Sequence, residues 1–94
     1  MMLEMNENHN INNSQKVIEQ QLFELITKAS FTNVQADQIQ LDSFLNDIGI
    51  DSLAFMELIV YIEEKFGVVV NDNDLLNEPF DTVQSVRDFI FSRV

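Results

Sequence analysis

The chain has 94 residues, of which 46% are hydrophobic, carries a formal net charge of −11 and contains no cysteine. This length provides one domain, and the lack of cysteine excludes disulfides and thiolate metal sites while agreeing with a cytoplasmic location. The charge argues against nucleic acid and anionic membrane surfaces as partners, because phosphate contacts require clustered Lys and Arg. No segment approaches the roughly 20 apolar residues needed to span a bilayer, and the N-terminus lacks the features of a signal peptide.

Residues 1–13 are rich in Asn and contain few side chains that a core could bury. This composition predicts a disordered extension, followed by a domain over residues 14–94. The lone histidine, His9, falls in the extension and has no partner ligand nearby. It therefore predicts no metal site.

The first predicted helix follows candidate caps at residues 12–14. Between Lys16 and Ala29, apolar residues recur at helical spacing. The apolar residues of the following segment, 30–51, show no sustained period, which predicts a long connection. Such a loop in a compact domain tends to be functional or to be pinned by its own side chains.

The strongest helix in the sequence covers residues 52–66, which contain neither Gly nor Pro, and Gly67 is placed to end it. A short third helix is predicted through Leu75 and Leu76, with Asp72 or Asn73 as its cap.

The last helix is predicted to begin at Asp81, which forms a capping-box pattern with Gln84. The run 68–70 has β propensity but is too short, without a partner strand, to be more than a connection. The predicted fold is all-α: a small four-helix bundle with a long loop between helices 1 and 2 and a short third helix.

The second helix has two opposed apolar faces when its residues are placed at helical angles. The predicted core stripe is Phe55, Leu58, Ile59, Ile62 and Phe66. The opposite face carries Leu53, Met56 and Val60, with Glu57 and Glu64 on the same face and Glu63 beside it. One helix of so small a domain rarely buries both faces, so we expect the second face to remain exposed and to form a docking site with a carboxylate rim. Alternatively, Leu53 lies under the long loop and Met56 fills space in the core.

The negative charge is concentrated in residues 42–81, which contain ten acids and one base, Lys65. Such a field attracts basic protein surfaces and accelerates their encounter with the chain. The alternative is a solvated acidic surface that keeps the protein soluble.

The segment Asp47–Leu53 reads Asp-Ile-Gly-Ile-Asp-Ser-Leu. With the long loop before it and the acidic helix after it, this segment resembles the acyl carrier protein family, and the resemblance extends over nearly the whole chain from Lys16. It implies that a phosphopantetheinyl transferase attaches 4'-phosphopantetheine, derived from coenzyme A, to Ser52 through a phosphodiester. The terminal thiol of this arm would carry acyl groups as thioesters.

The same resemblance assigns roles to further residues. Asp51 would help to engage the transferase, and the core-facing side of the second helix would shelter an attached acyl chain. Partner enzymes with basic surfaces, such as acyltransferases and ketosynthases, would dock on a monomeric carrier. Their docking face would be Leu53, Met56, Glu57, Val60, Glu63 and Glu64.

The position of Ser52 agrees with this role, because the N-terminus of a helix favours a phosphate. The alternative is that Ser52 or Asp51 serves only as a helix cap. A catalytic serine would need a positioned base, usually His or Lys. The only histidine, His9, is in the predicted extension, and the Lys nearest in sequence, Lys65, lies about 20 Å further along the helix. The chain is therefore predicted to be a carrier and not an enzyme.

The sequence indicates the identity of the cargo less clearly than it indicates the attachment site. Ala54 stands where fatty-acid carriers usually have an acid, and Phe55 and Tyr61 are bulkier than the family pattern. Peptidyl carriers usually have Gly near the serine, where this chain has Ile50 and Asp51. We therefore expect a free-standing carrier of polyketide or related specialised metabolism. A housekeeping fatty-acid carrier, an aminoacyl or peptidyl carrier, and, from a different class, an unmodified acidic adaptor for a basic partner are the alternatives.

A calcium site is not predicted, although residues 71–74 alternate Asn and Asp. An EF-hand loop that begins at Asp72 would need Gly at position 77 and Glu at position 83. The chain has Asn77 and Val83 there, so the match fails.

Overall fold

The computed structural model describes the backbone of residues 2–94 and the side chains of residues 14–94. Its four α-helices are α1 (Met2–Ala29), α2 (Ser52–Phe66), α3 (Asp72–Asn77) and α4 (Val83–Arg93). Two short 3₁₀ helices, Ala36–Gln38 and Leu45–Ile48, lie in the connection between α1 and α2. Residues 2–94 contain no β-strand. The predicted four-helix bundle with a long first loop and a short third helix is confirmed.

The start of α1 differs from the prediction. The backbone is helical from Met2, upstream of the expected caps at residues 12–14. Residues 2–29 contain no Gly or Pro, so no helix-breaking residue interrupts the helix between Met2 and Ala29. The side chains of residues 1–13, the predicted extension, lie outside the described residues. The predicted domain boundary at residue 14 therefore stays a prediction.

The core is formed by one face of each long helix. The side chains that are almost completely buried are Leu22 and Ile26 of α1, Leu58 and Ile62 of α2, and Val83, Val86 and Ile90 of α4. The predicted core stripe of α2 is largely confirmed, because Ile59 is also buried and Phe55 packs against this cluster. Ala54 is buried as well, although its small side chain was not part of the predicted stripe.

The caps of the last two helices differ from the prediction by a residue or two. Asn71, and not Asp72 or Asn73, caps α3 by accepting a hydrogen bond from the backbone N–H of Asp74. Thr82 begins α4, and its hydroxyl accepts a hydrogen bond from the backbone N–H of Ser85. The predicted box of Asp81 with Gln84 is therefore wrong by one position.

The reason for this shift lies in the long loop. Three backbone hydrogen bonds join residues 41–45 to residues 81–84 and fix where α4 can begin. They run from Leu45 N to Asp81 O (2.9 Å), from Val83 N to Ser43 O (3.1 Å) and from Gln84 N to Leu41 O (2.8 Å). Because Asp81 uses its carbonyl in this contact, the helix starts after it.

Helix α3 is clamped to the end of α4 by one arginine. The Arg93 guanidinium donates a hydrogen bond of 2.6 Å to Asp74 and lies 4.5 Å from the centre of the Phe89 ring. The hydrogen bond from Arg93, together with that from the backbone of Asn71, holds the pKa of Asp74 below its ordinary value. A charge-assisted pair thus secures the shortest helix of the bundle.

Replacing Asp74 by Asn is expected to make the free energy of unfolding depend less steeply on pH in the acidic range. A carboxyl whose pKa is lowered on folding stabilises the protein above its unfolded pKa, and this contribution is lost as the pH falls through the folded pKa. The free energy of unfolding of the wild type should therefore decrease as the pH is lowered below about 4. Urea unfolding at a series of pH values measures the slope. Asp42→Asn, at an exposed site, is the control, and equal slopes for Asp74→Asn and the wild type would contradict the prediction.

Candidate functional site

Ser52 is the first residue of α2, and its side chain is exposed. Asp51 is the cap of this helix, because its carboxylate accepts a 2.9 Å hydrogen bond from the backbone N–H of Ala54. The hydroxyl of Ser52 is therefore not needed to cap the helix. It stands at the positive end of the helix dipole and is accessible to another enzyme.

The segment that precedes Ser52 is held against the end of α1. The buried hydroxyl of Ser30 donates a 2.7 Å hydrogen bond to the carbonyl of Ile48, and the backbone N–H of Phe31 donates one of 3.0 Å to the carbonyl of Gly49. Gly49 has a φ of +81°, which side chains disfavour. A Cβ at this position would lie 2.4 Å from the Ser30 hydroxyl and 2.5 Å from that of Thr32. Only glycine fits this approach to the site.

The second face of α2 is at the surface, as expected. Leu53 is 76% exposed, Met56 52% and Val60 48%. Glu57 and Glu64 are also exposed. The alternative that Leu53 lies under the long loop is therefore wrong. The result is an apolar strip with carboxylates beside it, which we call the α2 face (Leu53, Met56, Glu57, Val60, Glu64).

Glu63 differs from the other predicted docking residues. It is only partly exposed, and its carboxylate accepts a 2.9 Å hydrogen bond from the backbone N–H of Val70. This contact ties the connection after α2 back to the helix. Glu63 therefore has a structural role that the helical angles of the sequence did not indicate.

A groove that the sequence patterns did not predict opens directly beside Ser52. Its volume is about 270 Å³. Three stretches of chain meet there: the start of α2, the end of the long loop and the connection before α4. The lining residues are Phe44, Leu45, Asn46, Ile50, Asp51, Ser52, Phe55, Phe80 and Asp81. The signal in the sequence was Phe44, one of the apolar residues of segment 30–51 that follow no helical period.

The side of α2 that faces the interior is buried. Leu58 is fully buried and Ile62 is 1% exposed. The expected shelter for an acyl chain on this side of the helix stays a prediction. Lys65 lies in the last turn of α2, at the opposite end of the helix from Ser52.

In the described part of the chain, no group of three or more His, Cys, Asp or Glu side chains is arranged to hold a metal ion. None of the helices in that part combines the length and apolar character that crossing a membrane requires.

Comparison with known proteins identifies the family. The family model of the phosphopantetheine attachment site matches residues 20–90. The acyl carrier protein of Thermosynechococcus vestitus is 41% identical, with 65% of this chain and 83% of the relative covered. Those of Cyanidium caldarium (37% identical, 65% of this chain and 70% of the relative) and Buchnera aphidicola (36%, 78% and 89%) are similar as well. The chain therefore belongs to the acyl carrier protein family, whose members are phosphopantetheine-bearing carriers and not enzymes.

Proposed function

We propose that Ser52 is the attachment point of the phosphopantetheine arm in this chain. The single observation that carries the proposal is the exposed position of Ser52 at the N-terminus of α2, next to a cap that Asp51 already provides. The N–H groups and the dipole of a helix N-terminus favour the phosphodiester that would form there. The arm supplies the thiol on which acyl groups are carried as thioesters.

A second Asp-Ser pair, Asp42-Ser43, shows why the structural setting matters. The Ser43 hydroxyl accepts a 3.0 Å hydrogen bond from the backbone N–H of Gln40, and its carbonyl is bonded to the start of α4. Ser43 is only partly exposed and does not begin an α-helix. Of the two pairs, Asp51-Ser52 is the one whose hydroxyl is unengaged and accessible.

The modification is a group transfer in which this chain provides the nucleophilic atom. The Ser52 oxygen forms the new bond to phosphorus, the pyrophosphate bond of coenzyme A breaks, and 3',5'-adenosine diphosphate leaves. The hydroxyl proton passes to a base of the transferase, since Ser52 needs a base from outside its own helix. We assign to Asp51 a contact with the transferase in addition to its capping hydrogen bond.

The α2 face is proposed as the docking surface for the transferase and for acyl-processing enzymes such as acyltransferases and ketosynthases. Exposed Leu53, Met56 and Val60 would supply contact area at its centre. Glu57 and Glu64 would pair with Arg and Lys of the partner, and Glu63 would add to the negative field while holding Val70. We propose that the carrier acts as a monomer in the cytoplasm.

Replacing Glu57 by Lys is expected to slow modification by the transferase about fivefold to tenfold, because reversing a rim charge lowers the association rate. The difference from wild type should shrink as salt screens the interaction. Initial rates of coenzyme A consumption at low and high salt measure both effects.

The matched control is Glu24→Lys, which makes the same change of net charge at an exposed position of α1. If Glu24→Lys slows the reaction as much as Glu57→Lys does, general charge and not the α2 face controls recognition.

We further propose that the cargo belongs to polyketide or related specialised metabolism. The support is Ala54, which is buried and leaves the first turn of α2 without an acidic residue, where fatty-acid carriers usually have one. A housekeeping fatty-acid carrier is the second candidate. The mass of the cargo on the protein isolated from its source cell distinguishes these pathways, since a long saturated chain would contradict the first.

The experiment that tests attachment is intact-mass measurement after incubation with coenzyme A and a broad-specificity transferase. One phosphopantetheinyl group should be gained, and peptide mapping should place it on Ser52. A chain that gains no mass would act as the unmodified acidic adaptor instead.

A further inference from the structure

A second groove, which shares no lining residue with the one beside Ser52, lies between α1 and α2. Its volume is about 270 Å³, and we call it the lysine groove. The lining residues are Leu25 and Lys28 of α1 and Tyr61, Glu64 and Lys65 of α2. Two of the five basic residues of this acidic chain therefore meet at one place.

The ammonium group of Lys28 is held over the ring of Tyr61. Lys28 Nζ lies 4.3 Å from the ring centre, a distance at which the negative face of an aromatic ring attracts a cation. The ring is partly buried and packs against the core, so it gives the lysine a fixed base. Because the ring carries no net charge, this contact positions the ammonium group without neutralising it.

The two lysines of the groove differ from the arginines of the chain in their acidic partners. Both arginines are paired with carboxylates at 2.6 to 2.9 Å. Among the side chains of residues 14–94, no carboxylate pairs with Lys28 or Lys65, although Glu64 lines the same groove. Both lysines are exposed. The groove therefore presents two positive charges to solvent against one negative charge.

The dipoles of the two helices account for only part of this arrangement. Lys28 lies in the last turn of α1 and Lys65 in the last turn of α2, where the negative end of a helix dipole favours a cation. The dipoles give no reason for Tyr61, which is bulkier than the family pattern and does not belong to the α2 face. Tyr is enriched at protein interfaces, because its ring supplies apolar contact area and its hydroxyl can form a hydrogen bond.

The chemistry of the groove selects an acidic side chain as its occupant. Two ammonium groups attract a carboxylate, while Leu25 and the ring of Tyr61 offer an apolar surface to its methylene groups. The net charge of −11 repels extended anions such as nucleic acid or an anionic membrane. We propose that the lysine groove is an interaction surface for a short acidic segment of a partner protein, which places a glutamate or aspartate side chain between Lys28 and Lys65.

The lysine groove is continuous with the α2 face, because Glu64 belongs to both. A partner that covers both surfaces meets carboxylates along α2 and then lysines at its end. Charge complementarity is then satisfied in only one direction of docking, which excludes the reversed orientation. This consequence rests on the docking proposed for the α2 face, whereas the binding of an acidic segment in the groove does not.

The experiment titrates the full chain, labelled with ¹⁵N and ¹³C, with an acetylated tetraglutamate amide. A salt concentration of about 0.1 M screens repulsion from charges more than about 10 Å away. The signals of the lysine ε-methylene groups and of the Tyr61 ring should shift as the peptide is added. Acetylated tetraglutamine amide, which has the same length and no charge, should leave these signals in place.

Lys65→Gln and Lys28→Gln should each weaken the binding of tetraglutamate about twofold to fivefold, as expected for the loss of one exposed ion pair. The matched control is Lys16→Gln, which makes the same change of charge at an exposed position of α1 outside the groove. Equal weakening by Lys16→Gln, or groove signals that do not respond to tetraglutamate, would overturn the proposal. Either result would leave the attachment at Ser52 intact, since loading is measured separately by mass.

Discussion

Replacing Ser52 by alanine is expected to abolish the gain of one phosphopantetheinyl group completely and to leave the bundle folded. The loss is complete because the Ser52 oxygen is the atom that forms the new bond, and alanine has none. The fold should tolerate the change because Ser52 is exposed and Asp51 is the cap. Alanine is also a good helix former, so the free energy of unfolding should change by no more than about 0.5 kcal/mol.

Intact mass after incubation with the transferase measures the modification, and circular dichroism with urea unfolding measures the fold. The control is Ser43→Ala, which removes the hydroxyl of the other Asp-Ser pair and should be modified like the wild type. A full mass gain on folded Ser52→Ala would show that another hydroxyl carries the arm.

Replacing Gly49 by alanine is expected to cause the largest loss of stability among these variants, about 3 kcal/mol. A left-handed backbone conformation costs an L-residue about 1–2 kcal/mol, and overpacking adds about 1–3 kcal/mol. Overpacking applies because the added Cβ would lie 2.4 Å from the Ser30 hydroxyl. This hydroxyl is buried and bonded to the carbonyl of Ile48, so it cannot simply rotate away.

The matched control is Gly67→Ala at the end of α2. Gly67 has a similar φ, +68°, but a Cβ there would have no atom within 4 Å. Only the backbone cost of about 1 kcal/mol should remain. The melting temperature should therefore fall by on the order of 15 °C for Gly49→Ala and by about 5 °C for Gly67→Ala. Equal losses for the two variants would show that the contacts with Ser30 and Thr32 do not limit this position.

Gly49→Ala should also impair loading of the protein that remains folded. Gly49 lies three residues before Ser52, and its carbonyl is bonded to Phe31. A shift of this segment would move the start of α2 relative to the long loop. Transferase rates below the melting temperature, corrected for the folded fraction, test this expectation against wild type and Gly67→Ala.

Helix α2 and the serine at its start could be predicted from the sequence because local chemistry decides them. Residues 52–66 contain no helix breaker, Asp51 bonds to the N–H three residues ahead, and Gly67 takes the left-handed conformation that ends a helix. The exposure of the α2 face also followed from angles within a single helix, since its opposite side fills the core. Each of these features depends on residues that are close in sequence.

The tertiary structure alone decided the features that join distant segments. The start of α4 at Val83, after the cap Thr82, follows from hydrogen bonds to residues 41–45. The carboxylate of Glu63 accepts a hydrogen bond from the backbone N–H of Val70 in the connection after α2. The groove beside Ser52 exists because Phe44 and Phe80, 36 positions apart in the printed sequence, are brought to the same helix end. Local propensities contain no information on such contacts, because their energy appears only when the chain has closed the loops between them.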